Sequence, residues 1–373
     1  MHAVRYRALL RMLTVFSCSV SGCQVHPAES PRASWPVGFS VVRLADSSRT
    51  LAPGKLRPVD IGVWYPARAT SQSPLTYRDY FLASASREEL EQFIQFLVSH
   101  GAGAADVARW LEAPMGAVRD APTSARRFPL VLIAQGNGQT FNDQAPLAES
   151  LARQGYIVAT TPSPMRVTGP LTDESDIGAR AAEQATDLAM AIDYLTRQRP
   201  DVSKESIGVI GHSFGARAGL LLMMHEPRVA ALVSLDGGIG TATGRKSMEE
   251  VPEYQSGAVR APILHFYELV DSYMAPDFSL LRSFTQAERW IRQVPLHHHL
   301  FSSLGAASNT QPALRPAIAA TESTGVAYAA VEAETMEFLD AFLKRDSVAR
   351  SHLRDLADRP PLGPLERIPQ DRF

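Results

Sequence analysis

From residue 129 onward, short unbroken apolar runs alternate with stretches whose apolar residues recur at helical spacing. Pro129–Ala134 (PLVLIA), Tyr156–Thr161, Ile207–Ile210, Val229–Leu235, Pro262–Tyr267 and Arg289–Val294 are read as strands, the most continuous of them buried on both faces. The intervening segments read as helices. Asp143–Gln154 turns Leu147 and Leu151 inward and stops at Gly155. Ile177–Arg197 lines up Leu188, Ile192 and Leu195, Ala216 begins a helix reaching about His225, and Tyr328–Lys344 sets Val331, Met336, Leu339 and Phe342 on one side. Strands alternating with helices predict an α/β fold: a mostly parallel, doubly wound sheet in a domain spanning about 37–345.

Upstream, Phe39–Leu44 and Val59–Tyr65 (VDIGVWY, closed by Pro66) alternate with period two and predict an antiparallel edge to the sheet. Between the second and third strands lies an insertion, about 76–125. Leu90, Phe93, Ile94 and Leu97 fall at i, i+3, i+4 and i+7, and Val107, Trp110 and Leu111 repeat the pattern, so two short helices are expected. They form either a satellite packed on the domain or a cap over its functional site. Residues 346–373 carry Pro360, Pro361, Pro364 and Pro369 and read as a tail or surface strap.

The chain has 373 residues, 45% hydrophobic, enough to bury a large core. Its formal charge is −2 and it has no Lys/Arg-rich run, so nucleic acid is not an expected partner. No later stretch of about 18 apolar residues predicts a membrane span. The start differs in character: Arg5, Arg7 and Arg11 precede the apolar Met12–Val20, which runs into Val20-Ser21-Gly22-Cys23. This resembles a bacterial lipoprotein signal, which implies removal of residues 1–22 and a lipid on Cys23. The expected location is the cell envelope, lipid-anchored or secreted, with membrane contact through the anchor and residues 23–36 as a polar, proline-bearing tether. Cleavage there shifts the formal charge from −2 to −5, since three arginines leave and no acid does. With Cys18 removed, the mature chain has no disulfide.

Ser206–Leu221 reads SIGVIGHSFGARAGLL: a β-branched run, a turn at Gly211-His212-Ser213-Phe214-Gly215, then a helix. A G-x-S-x-G turn between strand and helix exposes its serine hydroxyl at the carboxyl end of a sheet, which makes Ser213 the candidate nucleophile. A serine needs an imidazole to take its proton and a carboxylate to orient that imidazole. Asp236 ends the strand Val229–Leu235 and is the leading acid; Glu268 and Asp271 follow the next strand and are the alternatives. The base is expected in His297-His298-His299, after the last strand. A metal is a poor reading of three adjacent histidines, because neighbouring side chains diverge and no second ligand set is evident. His212 and His225 read as structural. An oxyanion hole would draw one backbone N–H from Phe214 and one from the loop Gln135–Gly138.

Taken together, Val59–Ala67 (VDIGVWYPA), Phe128–Gly138 (FPLVLIAQGNG), Gly211–Gly215 and Leu235-Asp236 resemble the platelet-activating factor acetylhydrolase-like branch of the α/β hydrolases, including its bacterial, dienelactone-hydrolase-related members. The likeness spans roughly Val37 to Lys344. It implies an α/β-hydrolase fold with Asp236 as the acid. The branch's His-x-x-Phe pattern falls on His298-His299-Leu300-Phe301 and singles out His298 as the base. The first oxyanion donor falls on Asn137, although Gln135 stands where the branch usually has histidine. The implied activity is serine-dependent hydrolysis of short acyl esters or of (phospho)lipid acyl groups through an acyl-enzyme, with no metal or organic cofactor. Rival readings are a dienelactone hydrolase or peptidase on the same fold, and a non-catalytic binding lipoprotein.

Overall fold

The computed structural model describes residues 34–270, 275–353 and 360–371. Ten strands, β1 (Val37–Ala52), β2 (Lys55–Pro66), β3 (Ala117–Arg119), β4 (Phe128–Ala134), β5 (Ile157–Thr161), β6 (Val202–His212), β7 (Val229–Leu235), β8 (Ile263–Glu268), β9 (Arg289–Val294) and β10 (Leu365–Ile368), form one sheet in the order β10-β9-β8-β7-β6-β4-β5-β2-β1-β3. From β5 through β4 to β9 every neighbouring pair is parallel. β1 and β2 form an antiparallel pair joined to β5 through β2, as the alternation in their sequence predicts. β10, from the segment read as a tail or strap, closes the other edge antiparallel to β9.

The continuous apolar runs follow from burial on both faces. Val131 and Ile133 of β4 enter one core with Leu147, Leu151, Val331, Phe338 and Leu339. Leu130 and Leu132 enter a second with Leu188, Ile192, Leu195, Leu220 and Leu221. The helices supplying these residues are Ala145–Arg153 and Glu322–Leu343 on one face, Asp176–Gln198 and Gly215–His225 on the other. The chain leaves β4 for β5 on one side and then crosses to β6 on the other. In an open parallel sheet such a reversal leaves a crevice beyond the strands' carboxyl ends, where ligands bind.

The insertion holds three helices, Tyr77–Ser84, Arg87–Ser99 and Ala104–Leu111, one more than the periodicity predicts. The first is only eight residues long and mixes Tyr77, Tyr80 and Phe81 with polar positions, so its apolar stripe is too short to stand out. Capping boxes at Thr76 and Ser86 start the first two. The insertion shares the domain's core: Leu90, Leu97, Val107 and Trp110 cluster with Phe39 and Trp64. Tyr80 donates to Glu149 at 2.6 Å and accepts from Trp64 Nε1 at 3.0 Å, tying insertion, helix and sheet together. Among the described residues no helix is long and apolar enough to cross a membrane.

Candidate active site

β6 ends at His212 and the next helix starts at Gly215, so Ser213 occupies a two-residue turn. Its φ is +53°, a left-handed conformation that is uncommon for a residue with a Cβ and marks a turn held by its surroundings. Glycine is required on either side of it. A Cβ at Gly215 would lie 2.1 Å from the Ala134 carbonyl oxygen, and one at Gly211 would lie 2.4 Å from Ala216 Cα. Backbone bonds from the Ser213 N–H to the Leu235 carbonyl (3.0 Å) and from the Gly238 N–H to the Ser213 carbonyl (3.0 Å) fix the turn to the end of β7.

Asp236 follows β7 directly, also at positive φ (+42°). His298 opens a 3-10 turn, His298–Leu300, after β9. The structure brings these three side chains together. His298 Nε2 lies 2.9 Å from Ser213 Oγ, and His298 Nδ1 lies 2.5 Å from Asp236 Oδ2. Asp236 Oδ1 accepts the backbone N–H of Glu268 at 3.1 Å. His298 and Asp236 are buried and Ser213 is partly exposed, which leaves the hydroxyl as the end of the chain open to a ligand. Glu268 therefore meets Asp236 through its backbone; its side chain accepts from the Val270 N–H at 2.5 Å. Asp271 and Cys23 lie outside the described residues. His297 precedes the turn, half-buried, and His299 is exposed with its ring edge-on to His298, centroids 5.2 Å apart.

The loop after β4 is held from both sides. Gln184 Nε2 donates to the Gln135 carbonyl (3.1 Å), and the next amide, Gly136 N–H, donates to Gln139 Oε1 (2.8 Å). Gly138 N–H donates to Ser163 Oγ at 3.2 Å. The Asn137 and Phe214 N–H groups have no hydrogen-bond partner among the described residues, so both are left to donate outward. Gln135, where the resemblance expects histidine, is buried and donates to Thr160 Oγ1 (3.1 Å).

Sequence reasoning missed Gln139, Ser163 and Gln184, since none carries a motif. It read His212 as structural, and the structure sets that ring between the loop after β4 and His298. Its Nδ1 lies 2.8 Å from Gln139 Oε1, its Nε2 3.3 Å from the His298 carbonyl, and its ring stacks on His298. Burial, helped by the neighbouring His298, lowers its pKa to about 3, so the ring stays neutral and donates to one of those two oxygens at a time. His225, at the end of the elbow helix, bonds the Glu253 carbonyl. Arg217, four residues past Ser213, is buried against Gly238 with Nε donating to Ser247 Oγ; burial lowers its pKa to about 10, so it keeps its charge at neutral pH.

A cleft of about 530 Å³ opens beside these loops. Asn137, Asp143, His299, Leu304, Ile318 and, from the insertion, Phe96 are among the residues lining it. Phe96 is 46% exposed and, among the described residues, the only one of the insertion in this lining.

Residues 188–274, which include Ser213 and Asp236 but not His298, match the family model described as BAAT / acyl-CoA thioester hydrolase C terminal. A comparison with curated proteins gives no match. Among solved structures the chain is similar to a ferulic acid esterase from Streptomyces cinnamoneus, at 23% sequence identity and a TM-score of 0.64, over 85% of this chain and 93% of that one. At that identity the likeness speaks for the fold. The ten-stranded, mostly parallel sheet with helices on both faces is an α/β-hydrolase fold.

Proposed function

We propose that this chain is a serine hydrolase of carboxylic esters, with Ser213 as nucleophile, His298 as base and acid, and Asp236 as the group that orients and balances His298. The observation that carries the reading is the continuous hydrogen-bonded chain Ser213–His298–Asp236 at the carboxyl ends of β6, β9 and β7. In this scheme His298 Nε2 takes the hydroxyl proton as Ser213 Oγ attacks the acyl carbonyl. The resulting oxyanion accepts from the Asn137 and Phe214 N–H groups, and removing one such donor typically costs about 3 kcal/mol of transition-state stabilisation. His298 then passes its proton to the departing alkoxide, and water, activated by the same imidazole, releases the acid from the acyl-enzyme. Asp236 holds the Nδ1–H tautomer throughout.

The same machinery would cleave a thioester, and the match over residues 188–274 favours testing one. The finer reading, short acyl esters or lipid acyl groups as in the platelet-activating factor acetylhydrolase-like branch, rests on the sequence resemblance, as does the lipid anchor at Cys23. A fluorophosphonate probe tests the core of the proposal. It should label the protein, and S213A should lose the label while keeping the wild-type circular dichroism; labelling that persists in S213A rejects Ser213 as nucleophile.

A further inference from the structure

Asp143 is the carboxylate in the wall of the cleft beside Asn137. It is held in place by the turn it belongs to: its Oδ2 accepts the Thr140 N–H at 2.8 Å, closing the capping box of the 3-10 turn Phe141–Gln144. Its surroundings offset little of its charge. Tyr77, from the first insertion helix, is a buried phenol whose ionisation Asp143 opposes. Arg166, the cation that acts on Asp143, is already paired with Glu89. Burial pushes the Asp143 carboxyl up to about 6, which still leaves it mostly ionised above neutral pH.

The rest of the lining combines the apolar Phe96, Leu300, Leu304 and Ile318 with the polar Gln139, His299 and Ser302, and no lysine or arginine lines the cleft among the described residues. An anion entering this space would meet one negative charge and no fixed positive one. A like charge brought close to Asp143 in such a partly buried site is repelled, which weakens binding.

We infer that the cleft takes an uncharged acyl group, and that Asp143 sets this specificity by repelling a carboxylate, phosphate or sulfonate carried on the acyl chain. The inference rests on the esterase reading above and names the substrate class of that same site. It places acyl chains ending in an apolar or hydroxyl group inside the range and acyl chains ending in an acid outside it. A hydroxyl would gain a hydrogen bond by donating to the carboxylate.

The test compares p-nitrophenyl butyrate with its 4-sulfonate analogue, ionised at every working pH, in the full-length protein. Wild type should prefer the neutral ester in kcat/KM, and D143N, which keeps an acceptor for the Thr140 N–H and removes the charge, should narrow that preference at least tenfold. D143S, shorter but still able to accept the same bond, should narrow it in the same direction and stands in should D143N fail to fold. Cleavage of the neutral ester with an unchanged ratio in a folded variant, or equal cleavage of both esters by wild type, overturns the inference and leaves the esterase reading intact. Failure to cleave either ester together with no fluorophosphonate labelling of Ser213 overturns both.

Discussion

The ring of His212 stacks on that of His298 with centroids 5.3 Å apart and planes 28° from parallel. His298 must gain a proton during the proposed reaction, and a second cation at this distance would oppose it. Burial keeps His212 neutral, with its pKa lowered to about 3, so it can support the base without competing for the proton. Its two ring nitrogens face Gln139, which holds the Gly136 amide, and the carbonyl of His298. His212 thus braces both the loop after β4, through Gln139, and the proposed base His298. H212N, which loses this reach, should lower kcat about tenfold, the consequence of one lost buried hydrogen bond, with KM changed less than about twofold. Equal loss in kcat and gain in KM would point to a general loosening of the fold, and steady-state kinetics separates the two.

The three adjacent histidines should separate sharply. Only His298 lies within hydrogen-bonding distance of both Ser213 Oγ and Asp236 Oδ2. H298Q should lose on the order of 10⁴-fold in kcat/KM, because members of such a chain act as a unit. H297Q and H299Q should lose no more than about tenfold. Progress curves on one p-nitrophenyl ester check all three; near wild-type activity in H298Q would remove it from the mechanism.

Asp143 gives a stability prediction with a definite sign. Its folded-state pKa, about 6, lies above the ordinary aspartate value of 3.8, so the folded form binds its proton more tightly than the unfolded chain does. That contribution is fully present below about pH 4 and is lost as pH rises through 6, where a partly buried carboxylate must carry charge. D143N should therefore raise the melting temperature at pH 8 relative to wild type, and by much less at pH 4.5. The stabilisation at pH 8 should be on the order of 2 kcal/mol. Melting curves at the two pH values decide; a D143N protein that is less stable at pH 8 would contradict the assigned shift.

The glycine after the elbow gives a prediction about the fold alone. A Cβ at Gly215 would come 2.1 Å from the Ala134 carbonyl oxygen, backbone that cannot swing aside as a side chain can. G215A should destabilise the protein by about 3 kcal/mol or more, or force β4 and the elbow apart and reduce fluorophosphonate labelling with them. Denaturant unfolding and labelling rate together report which. A G215A protein with wild-type stability and labelling would mean that the elbow packs less closely on β4.

The proposed anchor is tested on the native gene product expressed in a bacterium. The protein should fractionate with membranes, and C23S should release it into the soluble fraction. Mass spectrometry of a mature N-terminus at another residue, without lipid, would reject a lipid on Cys23.

Much of the architecture was readable along the chain because its signals are local. An apolar run buried on both faces, a helix whose apolar residues recur every three or four positions, and a glycine-flanked serine between them each depend on neighbours a few residues away. Val229–Leu235 and Arg289–Val294 coincide with β7 and β9 to the residue for that reason. Where the local signal was short or mixed, as in Tyr77–Ser84 or Leu365–Ile368, the element escaped notice. The second of these becomes a strand only because β9 offers it an open edge. Residue type likewise allowed three histidines and three acids, and the sequence resemblance narrowed them to His298 and Asp236. Only tertiary structure, through β6, β7, β8 and β9 ending side by side, decides which ring nitrogen reaches which oxygen. The roles of Gln139, Gln184, His212 and Asp143 belong wholly to that level. A glutamine beside a carbonyl or a carboxylate beside a cleft is ordinary in sequence, and becomes specific only when segments tens of residues apart are brought within hydrogen-bonding distance and cut off from water.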